Sequence, residues 1–323
     1  MVFVAREIPE EAVQEVQRHC RVRAWRKREP PSRDALLDGV SGADGLLCSL
    51  SERVDREIFD AAPGLKVVSN MAVGYDNVDV AEATRRRIPV GNTPGVLTET
   101  TADLAFGIML ACARHIVDGD LTVRSGKWRF WDPLGFLGED VHGATLGIIG
   151  FGKIGVAMAR RAKGFGMEIL YYDLVRRRDI ETELDVKFAS LDRLLSRSDF
   201  VTIHTDLNPK THHLIDTKRL GLMKKNCIVV NTARGPIVDS SALYRALKEG
   251  RIGGAALDVT EPEPLPADHP LLSLENVLVT PHIASGSRAT RTKMAMLAAD
   301  NLLSGLRGHR LPYCVNPEVY RES

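Results

Sequence analysis

A glycine-rich turn with the sequence G-F-G-K-I-G, at residues 150–155, constrains the fold of this chain more than any other feature. It directly follows an apolar, strand-like stretch at residues 145–149 and precedes a helix-like segment at 156–165. In that context Gly150 permits a tight turn, Gly152 lets the backbone approach a pyrophosphate, and the third glycine lets helix and strand pack closely. The helix N-terminus faces the negative charge of the ligand. The turn therefore predicts a dinucleotide site.

A second apolar stretch, at residues 167–172, strengthens this prediction because an acid follows it directly. Asp173 lies 18 positions after Gly155 (173 − 155 = 18), where a carboxylate can accept a hydrogen bond from a ribose 2′-hydroxyl. A helix start that merely needs small residues is the alternative. The order of strand, helix, strand and acid favours the dinucleotide site over that alternative.

Short apolar runs alternate with helix-like segments along the chain, which is typical of parallel sheets joined by crossover helices. In the first part the runs lie at residues 2–5, 22–25, 45–48, 65–69 and 88–90, with helices at 10–19, 33–40, 53–61 and 78–86. Later strands are predicted at 200–204, 228–231, 254–258 and 276–280, with a helix at 240–249. The predicted fold class is α/β, with two doubly wound parallel-sheet domains of Rossmann or flavodoxin type and a cleft between them.

The domain boundaries are predicted from where each sheet is complete. Residues 98–123 predict one long apolar helix, and the aromatic stretch 128–138 predicts a loop after it. The last helix, at 288–306, follows the complete nucleotide unit, so we expect it to return to the first domain. The prediction is a discontinuous substrate-binding domain at residues 1–95 plus 284–323, and a dinucleotide-binding domain at 96–283.

Composition and charge argue against nucleic-acid and membrane partners. A net charge of +1 provides no basic field, and no uninterrupted apolar stretch reaches the length of a membrane span. The N-terminus lacks a secretory leader pattern, and five scattered cysteines without a CxxC spacing are typical of reduced thiols. We therefore expect a cytoplasmic protein without a metal site or a disulfide.

Chemistry-bearing side chains lie at the predicted ends of strands, where ligands of open α/β sheets bind. They include His204, Arg234, Glu263 and His282. The two histidines have equal local claims to a catalytic role, and either can be a hydrogen-bonded structural residue. Arg234 suits a carboxylate but can equally be a surface charge, and Glu263 is rigidly held between two prolines. Position by itself leaves these alternatives open.

Ordered segments over essentially the whole chain resemble the D-isomer-specific 2-hydroxyacid dehydrogenases, and within them the glyoxylate/hydroxypyruvate reductases. The segments are A-V-G-Y-D-N at 72–77, N-T-P-G-V-L-T at 92–98, T-A-D-L-A-F at 101–106, V-R-S-G at 123–126, L-G-I-I-G-F-G at 146–152, N-T-A-R-G at 231–235, L-D-V at 257–259, E-P at 263–264 and P-H-I at 281–283. Together they are specific to the family, and much less specific to one substrate.

The resemblance implies the reduction of a small 2-oxo acid by NAD(P)H. In this reaction the resemblance implies that His282 donates the proton, that Glu263 is the acid partner of His282, and that Arg234 orients the substrate carboxylate. Histidine suits proton donation because it titrates near neutral pH, and a carboxylate on its far ring nitrogen holds the tautomer. Backbone N–H groups at Val73 and Gly74 would complete the anion site.

The resemblance also implies the cofactor contacts, which are Thr101, Gly150, Gly152, Lys153, Ile154, Gly155, Asp173, Thr205, Thr232, Ala233, Asp258 and His282. NADH is favoured, because Asp173 would accept from both ribose hydroxyls and repel the extra phosphate of NADPH. NADPH stays open, since the arginines at 176–178 could neutralise that phosphate. His204 becomes a structural residue. Asp206 stands where relatives usually carry a proline, and it would strengthen the NADH preference if it lies near the ribose.

An aromatic loop at residues 126–137 is implied to reach the active site of the neighbouring subunit. Trp131 occupies the matching position, so bulky rings would favour glyoxylate and hydroxypyruvate over larger acids. The alternative is that Trp128, Phe130 and Trp131 only bury a dimer contact. A homodimer is expected in either case. Ala284 replaces a glycine that is common in relatives, with no clear consequence for the substrate.

Other functions fit the sequence less well. Phosphite dehydrogenases carry a lysine where Val73 stands here, and without that cation a more highly charged oxyanion loses a contact. A corepressor that senses NADH would need peptide-binding or disordered extensions, and we expect none because the chain ends soon after Pro312. The same length argues against a phosphoglycerate dehydrogenase with a regulatory domain. Another D-2-hydroxyacid dehydrogenase stays open.

Overall fold

The structure is a computed structural model that describes residues 1–321 of the 323 in the chain. It divides into two compact units, one formed by Met1–Leu97 with the chain from Ser285 onward, and one formed by Thr98–Ala284. The sequence predicts boundaries after residues 95 and 283. The units divide two residues later at the first boundary (97 against 95) and one residue later at the second (284 against 283).

The first unit contains a sheet of five parallel strands. They are β1 (Val2–Val4), β2 (Val22–Ala24), β3 (Gly45–Cys48), β4 (Val67–Asn70) and β5 (Val90–Gly91), and their order in the sheet is β2-β1-β3-β4-β5. The helices are α1 (Glu10–Gln17), α2 (Arg33–Val40), α3 (Arg56–Ala61), α4 (Val80–Arg85) and α12 (Arg288–Leu306), followed by a 3-10 turn at Pro317–Tyr320. This is the flavodoxin-like strand order.

Helix α12 belongs to the first unit because its small residues let it lie directly on the sheet. The Ser287 side chain accepts from Thr290 N at 3.1 Å and starts the helix. Ser69 of β4 donates to the carbonyl of Ala298 at 2.7 Å, inside the unit. A side chain added at Gly305 would approach Val67 to 2.5 Å, so only glycine permits this packing.

The second unit contains a sheet of seven parallel strands. They are β6 (Thr145–Ile149), β7 (Glu168–Tyr172), β8 (Lys187–Phe188), β9 (Phe200–Ile203), β10 (Ile228–Asn231), β11 (Gly254–Leu257) and β12 (Val277–Val279). The helices are α5 (Thr98–Ala113), α6 (Ile116–Arg124), α7 (Lys153–Gly164), α8 (Arg178–Leu184), α9 (Leu191–Arg197), α10 (Thr217–Leu220) and α11 (Ser240–Lys248), with 3-10 turns at Gly235–Ile237 and Pro270–Ser273. Strand β8 is absent from the sequence prediction.

The strand order of the second sheet is β12-β11-β10-β9-β6-β7-β8. The chain runs outward from β6 through β7 and β8, then returns to the other side of β6 with β9. The switch point between β6 and β9 is where doubly wound sheets bind dinucleotides. The predicted pair of doubly wound parallel sheets is therefore confirmed.

Successive side chains along the central strands of the second unit point to opposite faces of the sheet, so they contribute to two cores, one on each face. In β6, Leu146 and Ile148 contribute to one core and Ile149 to the other. In β10, Ile228 and Val230 face one core and Val229 faces the other. With both faces covered by helices, the strands leave only their ends for polar chemistry.

The long helix predicted at residues 98–123 is wrong, because the structure has two helices there. Helix α5 ends at Ala113, and His115 takes a left-handed backbone conformation with φ +50° before α6 begins. The two helices are bent by 64°. The apolar pattern runs through both segments, so periodicity alone gave no signal for the break.

A search of the described residues finds no single helix that could span a membrane. Helices α5 and α6 reach the required length and apolar composition only as a bent pair.

Candidate active site

The glycine turn at 150–155 adopts the conformation that its sequence predicts. Gly150 has φ +89°, a left-handed value that favours glycine. A side chain at Gly155 would approach the Gly150 carbonyl oxygen to 2.2 Å, so α7 can begin this close to β6 only with glycine there. A side chain at Gly152 would meet nothing within 4 Å. The turn thus leaves open space beside the first N–H groups of α7, where a pyrophosphate fits.

Asp173, at the end of β7, is held over this turn. Its Oδ2 accepts from the backbone N–H of Phe151 at 2.6 Å, and its Oδ1 accepts from that of Val175 at 3.2 Å. The next two arginines are engaged elsewhere: Arg176 contacts Glu181 at 2.8 Å, and Arg177 contacts Asp179 at 3.0 Å. The acid predicted to bind a ribose therefore lies directly beside the predicted phosphate turn.

The loop after β9 packs against the same turn. A side chain at Gly150 would approach the carbonyl carbon of His204 to 2.6 Å and the backbone nitrogen of Thr205 to 2.7 Å. His204 donates its backbone N–H to Ile149 at 2.7 Å, and its ring is hydrogen-bonded to Thr202 at 2.9 Å. This close backbone approach places Thr205, a predicted cofactor contact, at the switch point.

His204 does not have the properties of a proton donor at neutral pH. Burial of the ring lowers the pKa of His204 to about 3, because a charged imidazolium would lose its hydration there. The ring is therefore neutral near pH 7, in line with a structural role at the strand end. This separates two histidines that local sequence could not distinguish.

The turn after β10 is shaped by a buried amide. Asn231 is 1% exposed, and its side chain donates to the Arg234 carbonyl at 2.8 Å and accepts from Ala233 N at 3.0 Å. These two bonds present the half-buried Arg234 at the end of the strand. Within the described residues, the buried hydroxyl of Thr232 has no hydrogen-bond partner. An orphaned hydroxyl beside Arg234 suits a ligand that would satisfy it.

A buried carboxylate shapes the loop that carries His282. Asp258, which follows β11, is 1% exposed. Its Oδ1 accepts from the Thr280 hydroxyl at 2.6 Å and from Ile283 N at 2.8 Å, and its Oδ2 accepts from Ala284 N at 2.7 Å. The backbone N–H of His282 also bonds to the Asp258 carbonyl, at 2.9 Å. These contacts hold His282 in a left-handed conformation with φ +55°.

His282 and Glu263 form a direct pair. The Nδ1 atom of His282 lies 2.6 Å from Oε1 of Glu263, with side-chain exposures of 21% and 34%. Partial burial on its own raises the pKa of Glu263. The hydrogen bond and charge of His282, the Thr260 N–H and the charge of Arg234 outweigh it and hold the pKa of Glu263 below its ordinary value. The pair is therefore ready to fix the histidine tautomer through an ionised carboxylate.

Close backbone contact joins the Arg234 turn to the Glu263 turn. A side chain at Gly235 would approach the carbonyl oxygen of Thr260 to 1.9 Å and Glu261 N to 2.8 Å. The sequence marks Gly235 only as the residue after a candidate arginine. The tertiary contact of Gly235, the hydrogen bonds of the Asp258 carboxylate and the role of Thr280 are not apparent from the sequence, although all three residues lie at strand ends, where such functions concentrate.

The remaining predicted residues have these positions. Thr101 is 3% exposed in α5, and Lys153 and Ile154 start α7. In the first unit, the carbonyl of Val73 accepts from Asn92 at 2.8 Å, and that of Gly74 accepts from Asn70 at 3.0 Å. Trp131 is 81% exposed in the loop after α6. Their roles toward cofactor or substrate stay predictions.

Comparisons with known proteins show the family to which this chain belongs. Residues 106–284 match the family described as D-isomer specific 2-hydroxyacid dehydrogenase, NAD binding domain. A glyoxylate reductase of Korarchaeum cryptofilum is 52% identical over 321 residues, which cover 99% of this chain and 97% of the relative. A solved Thermus thermophilus protein, TT0316, superposes with a TM-score of 0.91 at 44% identity, covering 97% of this chain and 99% of that chain.

A third comparison concerns the cofactor. The NADPH-dependent glyoxylate/hydroxypyruvate reductase of Sinorhizobium meliloti, solved with NADP and malonate, has a TM-score of 0.85 at 31% identity. The match covers 100% of this chain and 98% of that chain.

The strand order, and the glycine turn with Asp173 beside it, define a dinucleotide-binding fold. This chain belongs to the D-isomer-specific 2-hydroxyacid dehydrogenases. It is therefore an enzyme that reduces a 2-oxo acid with a nicotinamide dinucleotide, and its own residues fit that cofactor. The turn at 150–155 would hold the pyrophosphate, Asp173 the ribose, and the Thr232 hydroxyl a polar group.

The Gly235 contact generates a test of how the site is held. In Gly235→Ala the added methyl group must displace the Thr260 backbone, which moves the turns of Arg234 and Glu263 apart. We expect kcat for 2-oxo acid reduction to fall by about tenfold to a hundredfold, as for other small displacements of catalytic groups. Gly107→Ala, in α5 with nothing within 4 Å, is the matched control and should keep full activity. Equal activity of the two variants would contradict this account of the site.

Proposed function

We propose that this enzyme reduces glyoxylate and hydroxypyruvate, with His282 as proton donor. The observation that carries the proposal is the 2.6 Å contact between Nδ1 of His282 and Glu263. Because Nδ1 is occupied, Nε2 is the ring nitrogen that can give a proton to the substrate C2 oxygen. A bound nicotinamide supplies the hydride for the reduction.

Glu263 acts through His282 and not on the substrate. An ionised carboxylate on Nδ1 orients the ring and leaves Nε2 to face the substrate. The lowered pKa of Glu263 keeps the carboxylate ionised across the neutral range. Glu263 is thus a positioning residue for the proton donor.

Arg234 provides the cation that a 2-oxo acid requires. Its guanidinium is always charged, and its planar donors match a carboxylate. The Asn231 bonds fix the backbone on which it stands, at 2.8 Å and 3.0 Å. The N–H groups of Val73 and Gly74 remain the predicted second contact of the substrate carboxylate. Glyoxylate is named here because relatives about half identical to this chain carry the name glyoxylate reductase.

The proton-donor assignment predicts the effect of one substitution. His282→Ala should lower kcat for glyoxylate reduction at least about a hundredfold with cofactor affinity retained, the usual scale of general acid catalysis. His19→Ala removes another histidine that contacts a glutamate, Glu15 at 3.2 Å, and should leave kcat unchanged. The measurement is the nicotinamide absorbance with glyoxylate, hydroxypyruvate, pyruvate and phosphite in parallel. Unchanged turnover in His282→Ala would remove it from the mechanism, and wild-type preference for pyruvate or phosphite would refute the substrate assignment.

We propose NADH as the preferred cofactor. Asp173, beside the glycine turn, would accept from the ribose hydroxyls, and its carboxylate would repel the extra phosphate of NADPH. Arg176 and Arg177, the nearest cations after it, contact Glu181 and Asp179. Those arginines would have to leave their carboxylates to bind a phosphate. The Sinorhizobium enzyme is NADPH-dependent, so the fold itself permits either cofactor and local charge decides.

Cofactor preference is tested by the ratio of kcat/KM values for NADH and NADPH. We expect the ratio to exceed one and to fall at least about tenfold in Asp173→Ser, which removes a charged acceptor from the ribose site. Serine retains an oxygen that can accept from Phe151 N. Asp185→Ser, an exposed aspartate in the same unit, is the control and should leave the ratio unchanged. A wild-type ratio below one would refute the NADH assignment.

We propose that the enzyme is a homodimer whose contact includes α6 and the loop after it. Among the described residues, ten of the seventeen exposed large apolar side chains lie between residues 116 and 137. No residue of α6 is buried. Ile116, Leu121 and Trp131 are 56%, 57% and 81% exposed. Monomers rarely expose so much apolar surface, and a two-fold partner would cover it. Trp131 would then reach the neighbouring subunit, as the family resemblance implies.

The dimer is tested by sedimentation velocity. Leu121→Asp should raise the dimer dissociation constant at least about tenfold, because it buries an unpaired charge in the contact. Leu272→Asp, at another half-exposed leucine, should have no effect on assembly. A wild-type chain that sediments as a monomer at all concentrations would contradict the dimer.

A further inference from the structure

Three metal-binding side chains meet on the second unit, outside the residues assigned to catalysis. Nε2 of His213 lies 2.8 Å from Oε2 of Glu261, and Nε2 of His212 lies 3.9 Å from Oε1 of the same carboxylate. One ligand atom from each of the three side chains falls within 4.8 Å of the others. Among the described residues, this is the one group of three or more such side chains that could hold a metal ion.

The backbone fixes both histidines before any ligand binds. His213 donates its N–H to the carbonyl of Pro236 at 2.7 Å and takes φ +49°, a left-handed conformation. Two residues later, Ile215 N bonds to Ile237 O at 3.0 Å. The imidazole rings of His212 and His213 stack with centroids 4.0 Å apart and planes 28° apart. Neighbouring histidines thus present their rings side by side toward one carboxylate.

Glu261 is also held in place. It follows Thr260, whose backbone packs against Gly235 and whose hydroxyl donates to the carbonyl of Pro262 at 2.8 Å. The Glu261 side chain is 32% exposed, against 38% for His213 and 53% for His212. The cluster is therefore open to solvent on one side, so that an ion can enter and keep a water ligand.

The separations of the three side chains are compatible with a tetrahedral site. Metal–ligand distances of about 2.1 Å place ligand atoms about 3.4 Å apart around a tetrahedral ion. The His213 distance of 2.8 Å, to Oε2 of Glu261, and the His212 distance of 3.9 Å, to Oε1, lie on either side of that value. Small rotations of these partly exposed side chains would bring one oxygen within reach of an ion shared with both rings. Two imidazoles, one carboxylate and a water form a ligand set that suits Zn²⁺ and neighbouring transition metals.

An ordinary ion pair explains only part of this cluster. His213 and Glu261 form a complete hydrogen bond by themselves. His212 is too far from the carboxylate for a hydrogen bond, yet its ring nitrogen is directed to within 3.9 Å of it. A shared cation accounts for all three positions at once.

We propose that His212, His213 and Glu261 bind a divalent transition-metal ion of the Zn²⁺ class. Such an ion joins the loop after β9 to the turn after β11. Glu261 lies two positions before Glu263, so the ion tethers the turn that carries the partner of His282. The site is a structural clamp beside the active site, and it takes no part in the reaction.

The experiment measures metal binding directly, so its result is independent of which substrate the enzyme reduces. The full chain, without a histidine tag, is stripped with a chelator and titrated with ZnCl₂ by calorimetry. We expect one ion per chain and a Tm rise of at least about 3 °C at saturation, since a ligand that binds only the folded state stabilises it. MgCl₂ should leave Tm unchanged, because magnesium prefers oxygen ligands.

Variants locate the ion. His212→Gln, His213→Gln and Glu261→Gln should each weaken Zn²⁺ binding at least about tenfold, and His212→Gln should fold normally because its side chain is 53% exposed. His19→Gln and His282→Gln are the controls and should retain full affinity. The proposal is overturned if the wild-type chain shows no saturable binding, or if the three cluster variants bind Zn²⁺ as tightly as it does.

Discussion

The geometry of the candidate site depends on one buried carboxylate, Asp258. Its two oxygens accept three hydrogen bonds, from the Thr280 hydroxyl and from the N–H groups of Ile283 and Ala284. A buried charge is costly unless such donors satisfy it, so these bonds and the loop conformation require each other. The loop in turn places His282 in a left-handed backbone conformation and directs its ring to Glu263. Without these three hydrogen bonds, the residues after β11 and β12 would not be held in fixed positions relative to one another.

Close backbone approach is the second constraint, and glycine makes it possible at two places. Gly150 lets the turn after β6 touch the loop after β9, and Gly235 lets the turn after β10 touch the turn after β11. The residues that follow four neighbouring strands, β6, β9, β10 and β11, therefore lie close together at one edge of the sheet. The same packing brings Glu261 to His213 and creates the proposed metal site. The candidate active site and the proposed metal site thus depend on the same packing of these turns.

Much of the fold was predictable because periodicity and capping are local signals. Helices predicted at 33–40 and 288–306 have these bounds in the structure, as does the strand at 228–231. The break after Ala113 was not predicted, because apolar residues continue on both sides of Arg114 and His115 and do not indicate the left-handed conformation of His115. Strand β8 was missed because two residues that only edge a sheet carry little pattern of their own. For the site, position at the end of a predicted strand indicated Arg234, Glu263 and His282 as candidates. Position alone gave His204 the same claim to a catalytic role as His282.

The sequence by itself determined the α/β class, the dinucleotide turn and the family, because these depend on spacing within short segments. Only the tertiary structure shows the physical difference behind the roles that the resemblance implies for the two histidines: burial leaves His204 neutral, whereas His282 contacts a carboxylate. The tertiary structure also brought Glu261 to His212 and His213. His213 and Glu261 are 48 residues apart in the sequence. Such contacts depend on which strands become neighbours in the sheet, and a one-dimensional pattern carries no record of that distance.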